Sequence, residues 1–190
     1  MFFLYQEEKI LIIEHKEEVS SDFEGTIIDI ETIGEFRNQY FDSRRYGDIQ
    51  MAIFGLINKE GLHILCARGM EAITELKERT AAMIDNFGRP LFAFNTEFER
   101  GVLFNRLGRE IGFDGELNEE KYERKADVVR NLGIPNYDDP FYDNGYLCKT
   151  AWENSELDRA IAHNRACLLK ERDILLRRGF REPDDLIFIR

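Results

Sequence analysis

The chain has 190 residues, 43 % hydrophobic and 33 % charged, which suits a single globular domain spanning residues 1–190. No run approaches the ~20 apolar residues of a membrane helix. The opening MFFLYQEEKILIIEHKEE lacks the basic segment and cleavage site of a signal peptide, and Cys66, Cys148 and Cys167 form no CxxC pair, so no membrane association, no disulfide framework and no zinc site are expected, and a reducing, cytoplasmic setting is.

In chain order, residues 3–14 alternate enough for a short strand or hairpin. GTIIDIET (25–32) is a β-branched run opened by Gly25 and is expected as a buried strand. Residues 34–47 are polar and form a loop. IQMAIFGLI (49–57) and LHILCA (62–67), joined by Asn58-Lys59-Glu60-Gly61, make an antiparallel hairpin. Residues 71–87 carry Ile73, Leu76, Ala81, Ile84 and Phe87 at near-helical spacing, with Gly88 as a stop. LFAFN (91–95) is a short strand, followed by a helix from Thr96 to about Leu107. Residues 111–124 are polar and include a short helix, ADVVRNL (126–132) is a strand end, PNYDDPFYDNG (135–145) is a loop and 155–178 is a long helix. The tail LIFIR adds an edge strand. Three antiparallel strands followed by β/α alternation give an α/β fold with a mixed sheet flanked by helices.

The net charge of −11 gives no general attraction to phosphates, but a divalent-cation site needs clustered carboxylates, and bound cations reverse the local sign. Basic residues also gather at Arg37, Arg44 and Arg45 and again at Lys170, Arg172, Arg177, Arg178 and Arg181, either as a solvated face or as phosphate contacts.

Three segments carry chemistry. In Asp29-Ile30-Glu31-Thr32 the strand alternation puts both acids on one face, roughly 6–7 Å apart. They either reach solvent at a strand end or bind a cation, and hard carboxylate oxygens suit Mg²⁺ or Mn²⁺. In Phe94-Asn95-Thr96-Glu97-Phe98-Glu99, Glu99 either closes a capping box on Thr96 or faces the strand's carboxyl end, where the sites of α/β sheets gather. His163, on the last helix, has the pKa range of a general base if a metal site adjoins it.

In this order the segments resemble the DEDD-type 3′–5′ exonucleases of the RNase H-like superfamily, in the predicted-exonuclease branch whose second motif reads Asn-x-x-Phe-Glu. The resemblance covers about residues 25–176 and includes the Gly145…Trp152…His163-Asn164 run. It implies an RNase H-like fold and hydrolysis of phosphodiester bonds at a DNA or RNA 3′ end by two ions, Mg²⁺ or Mn²⁺. Asp29, Glu31 and Glu99 would be metal ligands, Glu31 would orient the attacking water, and His163 would take its proton. Asn95, Thr32 and Arg100 would position substrate, Arg44 and Arg45 would touch phosphates, and Phe36 or Tyr40 would stack on the terminal base. The chain departs from the pattern at the fourth acid, where Cys167 or Leu168 stands. Glu171, one helical turn beyond Cys167, or Asp127 is the candidate replacement. Without one, the second ion would be weak, and an inactive nucleic-acid- or protein-binding module becomes the alternative.

Overall fold

The computed structural model describes residues 11–190. Most of the expected 3–14 strand lies outside them; β1 occupies Ile12–Glu17. It is followed by β2 (Thr26–Ile33), β3 (Gln50–Asn58) and β4 (Gly61–Ala67). Helix α1 (Ile73–Ile84), β5 (Leu91–Ala93), α2 (Thr96–Leu107) and β6 (Gly115–Glu116) come next, and then α3 (Lys125–Asn131), α4 (Gly145–Glu153) and α5 (Leu157–Arg178).

The six strands form one mixed sheet in the order β1-β4-β3-β2-β5-β6. Strands β1 to β4 pair antiparallel, while β2–β5 and β5–β6 are parallel. This α/β arrangement, flanked among the described residues by five α-helices, is compatible with an RNase H-like fold. Strand β3 is buried at seven consecutive positions, Met51–Ile57, as expected for a strand covered on both faces. Gly55 and Phe54 show the two layers, since neighbouring strand residues point opposite ways. Phe54 stacks on Phe87, just past α1. Gly55 faces α5 so closely that an added Cβ would stand 2.1 Å from Asn164 Oδ1. No helix of the described residues is long and apolar enough to cross a membrane.

The structure departs from the sequence reading in four places. Residues 126–132 lie in α3, not a strand, because Val128 and Val129 are buried while Asp127 and Arg130 pair at the surface. Residues 111–124 hold β6 and no helix. Helix α4 begins in the segment read as a loop, with the Asn144 side chain accepting from Leu147 N. The tail makes no strand. Arg181 forms an isolated bridge to Glu116, and Ile187 and Ile189 bond to Ser43.

Candidate active site

Strand β2 pairs with β5 only through Thr26 and Ile27. Beyond that point the two strands part, and the chain after β5 turns into α2. The gap lies at the carboxyl ends of two parallel strands, where α/β sheets place their ligands. A cleft of about 420 Å³ opens there, and its lining includes Asp29, Glu31, Thr32, Asn95, Glu99 and His163. A larger hollow of about 1110 Å³ touches Thr26 and Asn58, at the opposite end of β2 and β3, and contains none of these acids. Of the two hollows, the smaller cleft is the candidate site, because it gathers the buried acids and the buried histidine.

Each acid arrives on a rigid element. Asp29 pairs with Gly55 and Glu31 with Ile53, and a register shift after Glu31 ends the regular ladder. Glu99 sits in the first turn of α2. The alternative for Glu99, a capping box on Thr96, is not formed. Asn95 is the N-cap, and Thr96 N and Oγ1 bond to Glu116 instead. Glu99 is thereby released into the cleft, where its Oε2 is buried without a hydrogen-bond partner. On α5, His163, Cys167 and Glu171 recur every four residues, and all three are buried.

Lys125, at the start of α3, enters the cluster from the side. Its Nζ lies 3.0 Å from Asp29 Oδ1 and 2.5 Å from Glu171 Oε1. Asn164 Nδ2 donates to Asp29 Oδ2 at 2.7 Å, so both Asp29 oxygens are engaged. Burial opposes a charge on Asp29, but the Lys125 ammonium outweighs it and holds the carboxyl below its ordinary range. Burial pushes Glu171 well up, with the Asp29 charge adding to it. Burial and the same Asp29 charge raise Glu99 well above the carboxylate range and bring Glu31 to about 7.

His163 is held from behind. Its Nδ1 lies 2.8 Å from Asp139 Oδ1. Asp139 also accepts from the backbone of Phe141 and Asp143 and from Lys170 Nζ at 2.7 Å. The Nε2 edge faces Glu31 Oε1 at 3.4 Å and Cys167 Sγ at 3.7 Å. Burial disfavours a charge on the ring, but Cys167, Glu31 and Asp139 together push its pKa up to about 12.

The expected site residues divide cleanly. Asp29, Glu31, Glu99, Glu171 and His163 come together, and Asn95 and Thr32 line the same cleft. Asp127 is half-exposed and bound to Arg130, so it is no replacement acid. Arg100 donates to Asp184 O and lies over Phe188, which engages it away from the cleft. Arg44 binds Asp42 and covers Tyr40, while Arg45 lies over Phe36. The late basic cluster is structural: Lys170 is wholly buried against Asp139 and Asp143, Arg178 binds Glu123, and Arg181 binds Asn118 and Asp184. Sequence reasoning missed Lys125, Asn164 and Asp139. Only Asn164 carried a signal, as the neighbour of His163 in the third motif. No known protein family matches the chain, and neither does any curated protein or solved structure.

Proposed function

We propose that the chain is a divalent-cation-dependent hydrolase that removes nucleotides from the 3′ end of DNA or RNA, acting in the cytoplasm. The observation that carries this reading is the convergence of Asp29, Glu31, Glu99 and His163 on one cleft at the carboxyl end of β2. A divalent ion bound there supplies a Lewis acid and an activated water. Glu31 and the partnerless Glu99 Oε2 are suitable oxygen donors for Mg²⁺ or Mn²⁺. Asp29 would join them only if Lys125 and Asn164 released its oxygens.

The chain's own groups divide the remaining work. Lys125 offers a cation to a phosphate at the cleft. Asp139 fixes the ring of His163 so that its Nε2 edge addresses the cleft beside Glu31. Phe36 and Tyr146, both exposed at the cleft's rim, present aromatic surfaces on which a terminal base stacks.

A second reading, an inactive binding module, is favoured by the Lys125–Asp29 pair, in which a protein cation stands where a metal ligand should be free. One experiment separates the two. Purified protein is incubated with end-labelled single- and double-stranded DNA and RNA, with Mn²⁺, Mg²⁺ or EDTA. Shortening of the label from the 3′ end, abolished by EDTA, supports the hydrolase. Retention of intact oligonucleotide under every condition supports the module.

A further inference from the structure

We propose that Glu31, His163 and Cys167 form a binding site for one transition-metal ion of the zinc class. The proposal rests on the reading that this cleft takes a cation and is independent of whether hydrolysis occurs there. The donor atoms of the three residues all lie within 4.8 Å of one another. His163 Nε2 stands 3.4 Å from Glu31 Oε1 and 3.7 Å from Cys167 Sγ. Zinc bonds of about 2.0–2.1 Å to nitrogen, 2.0–2.2 Å to oxygen and 2.3 Å to sulfur, at tetrahedral angles, separate N from O by roughly 3.4 Å and N from S by roughly 3.6 Å. The two spacings from the ring match those of ligands around one ion, and they exceed the 2.8 Å bond on the other side of the same ring.

Three further features fit. The Nδ1–Asp139 bond is the contact that orients metal-bound histidines and leaves Nε2 as the donor. His163 and Cys167 are 2 % and 3 % exposed and lie one turn apart on α5, while Glu31 comes from β2, so rigid elements hold all three. Glu99 Oε2, buried and partnerless, lines the same cleft, and the cleft itself leaves a fourth position open. Imidazole and thiolate select zinc-class ions over Mg²⁺, which favours an all-oxygen shell. A second group of donors, Asp139, Asp143 and Cys167, lacks no cation, because Lys170 Nζ already stands 2.7 and 2.8 Å from its two carboxylates. The paired-cysteine spacing whose absence argues against a zinc site in the sequence is missing here because the set holds one cysteine, with a histidine one turn before it on α5 and a carboxylate from β2.

The test is a Co²⁺ titration of the chelator-treated full chain, followed by absorbance. One equivalent should produce a sulfur-to-cobalt charge-transfer band in the near ultraviolet and the visible bands of a four-coordinate ion. Equimolar Zn²⁺ should remove them, and excess Mg²⁺ should not. Cys167→Ser should lose the charge-transfer band, Glu31→Gln should weaken Co²⁺ binding at least tenfold, and Cys66→Ser should leave the spectrum unchanged. A wild-type spectrum without the charge-transfer band overturns the proposal whether or not the variants fold, as does the same band in folded Cys167→Ser. Mg²⁺-dependent cleavage without the cobalt band sinks this site and leaves the hydrolase standing. The band without any cleavage does the reverse.

Discussion

Lys125 Nζ stands 3.0 Å from Asp29 Oδ1 and reaches Glu171 in the same stride. The strand acid that the exonuclease resemblance would give to a metal is thus paired with a cation of the protein itself. Lys125→Met leaves two buried carboxyls without their cation, a loss of about 3–5 kcal/mol for a broken buried pair. Thermal unfolding in EDTA should show the drop, and Mn²⁺ should restore more of it in the variant than it adds to the wild type. An unchanged melting temperature would mean that the ammonium does not hold these acids.

Removing Asp29 itself bears on both chemistry and stability. From sequence alone, Asp29→Ala relieves repulsion among clustered acids, so stability is expected to hold or rise. With Lys125 and Asn164 both bound to Asp29, the opposite is now expected: cleavage is lost and the fold is weakened by about 1–3 kcal/mol, the range for buried groups left unsatisfied. Oligonucleotide cleavage and urea unfolding check the two halves separately. Full cleavage by the variant would place the chemistry elsewhere.

Glu31 makes the metal-free protein sensitive to pH. Its folded pKa of about 7 lies above the ordinary glutamate value of 4.5, so the folded state binds the extra proton. Stability is then fully present below about 4.5 and declines as pH rises through about 7. The decline is at most about 3.5 kcal/mol, since each pH unit between the two values is worth about 1.4 kcal/mol. Glu31→Gln should reduce this slope in urea melts run in EDTA between those limits, with Glu99 and Glu171, also raised by burial, supplying the remainder; an undiminished slope would assign the titration to those groups alone.

Cys167→Asp restores an acid near the position where the exonuclease pattern has one. Mg²⁺-dependent cleavage should rise and any preference for softer ions should fall. Glu171→Ala tests the rival replacement. Because Glu171 binds Lys125 and not an open position, its loss should reduce stability more than cleavage by the folded fraction. Cleavage rates per folded molecule, with folding followed by circular dichroism, distinguish these outcomes.

Much of the frame was legible because it follows simple periods. The β2 run, the β3–β4 hairpin and α2 appear where alternation, turn residues and helical spacing put them. The acids of the site were legible for the same reason, since strand alternation and a helix start fix where Asp29, Glu31 and Glu99 point. Helix α3 was not, because Ala-Asp-Val-Val carries β-branched residues and only burial of Val128 and Val129 decides for a helix. Lys125 was illegible in a stronger sense. Its partner Asp29 is 96 residues away, and no local pattern separates a lysine bound for the interior from one bound for water. Asp139 is the same case, a loop acid whose importance comes from His163 and Lys170 on α5.

Gly55 gives the cleft its dimensions. The last helix can come down onto the sheet, and Asn164 can reach Asp29, only because this position in β3 carries a hydrogen atom, with Asn164 Oδ1 and Leu168 Cδ1 where a methyl would go. The gauge of the whole site, from the strand acids to the histidine and thiol on the helix, is therefore set by a residue with no functional group at all. In a survey of variants scored by activity, Gly55→Ala would be indistinguishable from loss of a reactive side chain, although every acid, the histidine and the thiol would still be in the sequence.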